Sequence, residues 1–282
     1  MATARSQDGI AVAFEKTGGG PPVILVDGAL CYRAWGPSRP LAAELSRRFT
    51  VFTYDRRGRG ESGDTAPYAL DHEIEDIQAL VHEAGGSAHV YGISSGAVLA
   101  LEAAGRGIGI ESLVLYEPPF IIDDSRPPFP ADYASQLETF LAANRRGDAV
   151  RLFMQQVGVP RALVALMRLI PVWRKVTATA HTLPYDAAAM GDTQAGKPLP
   201  AERWAGVTAP TLVVVGGNSP TWMHNGTRAL ADLLRNARHR VLEGQQHAVK
   251  PKVLAPLLVD FFGQAEGAAG DRAPAHGADL RP

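Results

Sequence analysis

The chain of 282 residues carries a single cysteine, Cys31, so it cannot close an internal disulfide, and no cysteine and histidine cluster has the spacing of a zinc site. A lone thiol beside Leu30 is read as a small, half-buried hydrophobe rather than a nucleophile. An excess of charge is missing too: 28 lysines and arginines are interspersed with 29 aspartates and glutamates, for a formal net charge of −1. Without a basic stripe nothing is in place to neutralise a phosphate backbone, and nucleic acid is not an expected partner. No segment approaches the roughly 20 apolar residues of a membrane span. The opening MATARSQDGIAVAFEK contains no apolar run of signal length. The expectation is a cytoplasmic protein with a small-molecule substrate, no metal or cofactor and no membrane partner; the oligomeric state stays open.

What is present is a globular composition, 46% hydrophobic and 20% charged, with 29 glycines and 21 prolines that call for many loops between short elements. GIAVAFEK alternates as a strand does, and TGGGPP turns the chain into PVILVDG, a continuous apolar run suited to a strand covered on both faces. Similar runs recur at FTVFTYD, AHVYG, SLVLYE and TLVVVGG. Helical patterns lie between them: GPSRPLAAELSRR, then ALDHEIEDIQALVHEAG with its glycine stop, then SGAVLALEAAGRG. Strand and helix alternating on this scale predict a mostly parallel α/β sheet with helices on both faces. The rhythm breaks at residues 118–200, where no strand is evident but ADYASQLETFLAANRRG, GDAVRLFMQQVG and RALVALMRLIPVWRKV are amphipathic, so an all-helical cap insertion is expected there. The core then spans residues 1–117 and 201–263, with HRVLE as a late strand and PKVLAPLLVDFFG as the closing helix. Residues 264–282, rich in glycine, alanine and proline, are expected to form a disordered tail.

Gly92-Ile93-Ser94-Ser95-Gly96 fits G-x-S-x-G in the context that motif needs, a strand, a sharp turn and a helix. The flanking glycines leave room where strand and helix approach closely, which singles out Ser94 as a nucleophile; a serine-capped helix is the plainer alternative. Ser95 would then matter for its backbone N–H at the helix N-terminus, placed to donate to an oxyanion.

With this motif go LVDGAL at the end of an early strand, YDRRGRGES after the next strand, and GQQHAV before the final helix. In that order and in those elements they resemble the α/β-hydrolase superfamily, over residues 9–263. The resemblance implies Ser94 as nucleophile, His247 as general base, and the backbone N–H groups of Ala29 and Ser95 as oxyanion hole. The other histidines are expected to be solvated. Residues 55–62 are read as structural, their arginines and aspartate pairing with one another.

Two departures stand out. The family's usual HG is DG here, and a carboxylate facing an oxyanion would oppose the reaction, so Asp27 is expected to turn away and accept hydrogen bonds. The loop after TLVVVGG reads Asn218-Ser219-Pro220-Thr221, with no acid to orient the histidine. Glu117, at the end of SLVLYE, takes the alternative place that some members of the family use, and Pro118-Pro119 would stiffen its exit. A neutral orienter, Asn218 or Ser219, or a serine–histidine dyad, stays open. Phe153, Met154, Met167, Trp173, Tyr185, Trp222 and Met223 supply apolar groups to the cap or its neighbourhood, and Arg161, Arg168, Arg174 and Lys175 a solvated face.

The reading is a cofactor-independent serine hydrolase that cleaves an ester, thioester or lactone of a small apolar molecule. Carbon–carbon hydrolysis or lyase chemistry at the same residues, and a non-catalytic ligand-binding relative, are the alternatives. A dinucleotide-binding dehydrogenase is a poor fit, because the first parallel strand ends in DGAL without G-x-G-x-x-G.

Overall fold

The apolar runs become strands β3 (Pro22–Val26), β4 (Thr50–Tyr54), β5 (Ala88–Ile93), β6 (Ile110–Tyr116), β7 (Thr211–Gly216) and β8 (Ala237–Leu242), all parallel. They are preceded by an antiparallel pair, β1 (Ala2–Arg5) and β2 (Ala11–Gly18), in a computed structural model that describes residues 2–270. The sheet order is β1-β2-β4-β3-β5-β6-β7-β8. β1 is absent from the sequence reading. Its signal was the Asp8-Gly9 turn, where Gly9 takes φ 87° and closes a hairpin onto β2.

The chain steps from β3 to β4 on one side and then returns to β5 on the other, so the strand order reverses between β3 and β5. Crevices open beyond the carboxyl ends of strands at such a reversal. Asp27 and Ala29 follow β3 there, and Ser94 follows β5.

Helices α2 (Leu70–Glu83), α3 (Ser95–Gly105) and α9 (Thr221–Leu233) cover one face, packing Ile77, Leu80, Leu99, Leu101 and Leu230 against the strands. α1 (Ser38–Leu45) and α10 (Pro251–Gly270) cover the other with Leu41, Leu45, Leu254, Leu258 and Phe262. α3 is apolar nearly all round and buried from Ser95 to Ala104, as a helix without a polar stripe must be. Val98, Leu99 and Leu101 are fully enclosed, each contributing about 1.5–3 kcal/mol of apolar burial.

Residues 118–200 hold α4 (Tyr133–Ala142), α5 (Arg146–Gln156), α6 (Arg161–Met167), α7 (Val172–Ala178) and α8 (Leu183–Met190), and no strand. Tyr133, Leu137, Ala149, Val150, Val176 and Leu183 form a core of their own that also takes in Leu30 from the loop after β3, seating the insertion over that loop. RALVALMRLIPVWRKV is not one helix: Pro171 separates α6 from α7, because proline disfavours helical backbone in the residue before it. α8 was not foreseen, although Pro184 near its start and Asp186 in its first turn are ordinary signals of a helix N-terminus.

The closing helix does not stop at Gly263. It continues to Gly270, through alanine, glutamine and glutamate that favour helix, so the first part of the expected tail is helical. The rest, 271–282, lies outside the described residues. No helix among the described residues is long and apolar enough to cross a membrane.

Candidate active site

Ser94 has φ 58° and ψ −130°, and its N–H donates to Tyr116 O at 3.0 Å across the carboxyl ends of β5 and β6. The two glycines of the motif make this turn possible. A Cβ on Gly92 would lie 2.5 Å from Gly96 O, and one on Gly96 would lie 2.3 Å from Val26 O and 2.5 Å from Asp27 O. The first turn of α3 therefore abuts the end of β3, bringing the Ser95 N–H close to the loop that carries Ala29. That N–H belongs to the first turn of a helix and has no intrahelical acceptor. Gly28 lies against the nucleophile candidate itself, since a Cβ there would sit 3.0 Å from Ser94 Cβ.

Among the described residues, four other than glycine have positive φ: Leu30, Ser94, Glu117 and Asn144. Asparagine tolerates that conformation. The other three follow β3, β5 and β6, and strained backbone concentrated in this way marks a place where geometry is imposed by surrounding structure.

Glu117, at φ 48°, still donates its N–H to Val214 O of β7, while its side chain is completely buried. Oε2 is 2.8 Å from His247 Nδ1. Oε1 accepts from Gly216 N at 2.8 Å and from Ser219 Oγ at 2.5 Å. Burial pushes the carboxyl up, and donation from His247, Ser219 and the Gly216 N–H outweighs it, holding Glu117 below the usual carboxylate range. The end of β7 and the loop after it, which lacks an acid, thus deliver one hydrogen-bond donor each to the acid of the neighbouring strand. Ser219 reaches Glu117, and it does so as a donor to the carboxylate.

His247 is half-exposed, and its loop is fixed from below. Tyr116 Oη donates to Gln246 O at 2.8 Å, and Asn218 N to Gln245 O at 2.8 Å. Gly216 is needed because any Cβ there would lie 2.5 Å from Gln245 O and 2.7 Å from Gln246 Cα.

Asp27 is turned away from the Ser94 turn: Oδ1 accepts from Ser38 Oγ at 2.7 Å. Burial raises its carboxyl to about 6, against the Ser38 hydroxyl and the charges of Arg59 and Arg56. Burial raises the Cys31 thiol to about 12, so it stays protonated and a poor nucleophile. His89 is a correction to the expectation of solvated histidines, being wholly buried, with Nδ1 2.8 Å from Ser112 Oγ and its ring stacked on Phe262 at 4.8 Å.

The arginines after β4 are all buried and paired. Arg56 grips Glu73 through Nε and Nη2, and Arg57 grips Asp76 through Nε and Nη2. Asp186 of α8, absent from the sequence reading, is buried between Arg56, Arg59 and Ser95 Oγ, each at 2.7 Å. Tyr185 beside it stacks on Tyr68 at 4.0 Å, and Trp222 lies under the Arg126 guanidinium at 4.4 Å. Phe153, Met154 and Trp173 pack on the core of the insertion, while Arg161, Arg168, Arg174 and Lys175 are exposed. A surface hollow of about 310 Å3 by Asp71, Gln78 and Arg106 shares no residue with this constellation.

The chain matches the family model of the alpha/beta hydrolase family over residues 18–257. Among solved structures it is similar to an alpha/beta hydrolase from Sphaerobacter thermophilus, at 52% identity and a TM-score of 0.85, over 93% of this chain and 100% of that one. It also shares its fold with the enol-lactonase of Burkholderia xenovorans, at 21% identity and TM-score 0.66, covering 93% and 100% of the two chains. A third similar structure is a 2-hydroxy-6-oxo-6-phenylhexa-2,4-dienoate hydrolase from Rhodococcus, at 19% identity and TM-score 0.64, covering 93% and 98%. Among curated proteins none matches.

Proposed function

We propose, from the premise that the chain belongs to the alpha/beta hydrolase family and is a hydrolase, that it is a cofactor-independent serine hydrolase cleaving an ester, thioester or lactone of a small, largely apolar molecule. In this reading Ser94 Oγ attacks the carbonyl carbon while His247 Nε2 takes its proton. Glu117 holds the Nδ1–H tautomer and stabilises the imidazolium, and the N–H groups of Ala29 and Ser95 receive the oxyanion. Collapse of the tetrahedral adduct expels the alcohol or thiol, protonated by His247, and leaves acyl-Ser94. Water, deprotonated by His247, then adds to the acyl carbon and releases the acid, returning the proton to Ser94. For a lactone the leaving hydroxyl stays on the acyl group.

The observation that carries this reading is the 2.8 Å contact between His247 and a fully buried Glu117 one strand beyond Ser94. It supports an orienting acid where the Asn218-Ser219 loop has none, and Asp27, bound to Ser38, does not point its charge at the oxyanion loop, both of which favour catalysis over ligand binding alone. A fluorophosphonate probe followed by intact mass is the direct test. Wild type is expected to gain one phosphonyl group and Ser94→Ala none, with turnover of short acyl esters falling on the order of 10^6-fold. Equal labelling of both would remove Ser94 from the mechanism.

A further inference from the structure

We propose that Asp186, reaching in from helix α8 of the insertion, is a positioning residue that sets both backbone donors of the oxyanion hole. The proposal rests on the reading of Ala29 and Ser95 above. Its Oδ1 accepts from Ser95 Oγ at 2.7 Å and from Arg56 Nη1 at 2.7 Å, and its Oδ2 from Arg59 Nη2 at 2.7 Å. The first contact fixes the residue whose own N–H is one donor. The third acts on the other donor at one remove, because Arg59 Nη1 donates to Gly28 O at 2.7 Å and to Cys31 O at 3.3 Å.

In a trans peptide the C=O and the following N–H point in opposite directions. With the Gly28 carbonyl held by Arg59, the Ala29 N–H is directed away from the guanidinium. Arg56 Nη1 donates likewise to Asp27 O at 3.3 Å, one peptide earlier. One carboxylate of the insertion therefore holds, through a hydroxyl and two guanidiniums, the loop after β3 and the first turn of α3. Arg59 Nε is seated on Thr182 Oγ1 at 3.0 Å, just before α8, so the same helix end grips the guanidinium twice.

Countercharge accounts for the contact with Arg59, whose carboxylate partner is Asp186, but not for the other two: Arg56 already has a two-point partner in Glu73, and Ser95 needs no countercharge. Removing the negative charge of Asp186 would leave a cation uncompensated near the oxyanion loop, and that by itself would favour a developing anion. A loss of rate on neutralising Asp186 thus reports geometry.

The test compares wild type, Asp186→Asn and Ser95→Ala for kcat and KM on a short acyl ester, for inhibition by an alkyl boronic acid, which forms a tetrahedral adduct with serine, and for affinity toward the product carboxylate. A lost oxyanion donor costs about 10^2–10^3 in kcat; a displaced one in Asp186→Asn is expected to cost about 10- to 100-fold. Boronate affinity should fall by a similar factor while KM and product affinity change little. Ser95→Ala, which leaves both arginines paired with Asp186, should shift kcat and boronate affinity in the same direction by a smaller factor, and it decides the matter if Asp186→Asn does not fold. Unchanged kcat and boronate affinity in the folded variants would overturn the proposal. If wild-type Ser94 takes up no fluorophosphonate, the nucleophile assignment has failed; if it is labelled and the variants behave as wild type, only the role of Asp186 has.

Discussion

Glu117 and Asp186 are buried carboxylates that come to the Ser94 turn from different parts of the chain, one from the end of β6 and the other from the helical insertion. Burial pushes both carboxyls up, and in both the hydrogen bonds and charges outweigh it and leave the carboxyl below its usual range. Their partners differ. Asp186 faces two guanidiniums, permanently charged and themselves enclosed, so its bonds do not change with proton transfer nearby. Glu117 faces two neutral donors and one half-exposed imidazole, a partner whose charge can appear and disappear. A carboxylate among arginines is suited to hold structure still, and one against an imidazole is suited to answer a charge as it forms.

The sharpest way to break that contrast is Glu117→Gln. The amide oxygen is claimed by the Gly216 N–H and Ser219 Oγ, so the NH2 must face His247 Nδ1. The imidazole is then forced to carry its proton on Nε2, the wrong tautomer to accept one from Ser94. Loss of kcat on the order of 10^4 is expected, as for a triad acid turned to its amide, measured on short acyl esters with fold verified by circular dichroism. Ser219→Ala removes one of the donors to Glu117 and leaves the tautomer untouched, so the expected loss is about 10-fold or less. If the two variants are equally active, Glu117 does not orient the histidine.

How far these roles were legible in the chain follows the same division. The strands of the sheet are short apolar runs bounded by turns, and Gly92 of the Ser94 elbow packs against Gly96 and Ala97 only four and five residues on, so local pattern was enough to locate the turn of Ser94, the strand end at Glu117 and the loop of His247. The absent acid after β7 was visible as well. Glu117 was named as its substitute, but the donation from Ser219 to that carboxylate was not visible, because the two meet only through the register of β6 beside β7. Asp186 lies 91 residues from Ser95 and 127 from Arg59, and its helix of eight residues was hidden in a segment without strong periodicity. Charge pairs at such separations are made by tertiary packing, which no window of sequence contains. The hairpin strand β1 was missed for a different reason: four residues with a single buried side chain give almost no alternation to read.

A third carboxylate sharpens the comparison with the smallest effect. Asp27 has Ser38 as its close partner, through the hydroxyl and the backbone N–H, with only the more distant charges of Arg59 and Arg56, and here burial wins, lifting the carboxyl from 3.8 to about 6. Because the folded value lies above the unfolded one, the folded chain keeps this proton longer, and stability present below the unfolded value is lost as pH rises toward about 6. At about 1.4 kcal/mol per unit, the penalty at pH 8 is of order 2–3 kcal/mol. Asp27→Asn removes the charge while its amide oxygen can still accept from Ser38, at the expense of an NH2 near Gly36 that needs a partner. A net gain of about 1–2 kcal/mol at pH 8, shrinking or reversing at pH 4, is expected from thermal melts of the two proteins side by side. The difference between the variants isolates Asp27 from Asp76, whose carboxyl is also raised to about 6 by burial, although Arg57 grips it. A Tm difference that stays constant across that range would mean that Asp27 is held as firmly as Glu117 and Asp186, and that the count of close donors does not decide which of the three stays ionised.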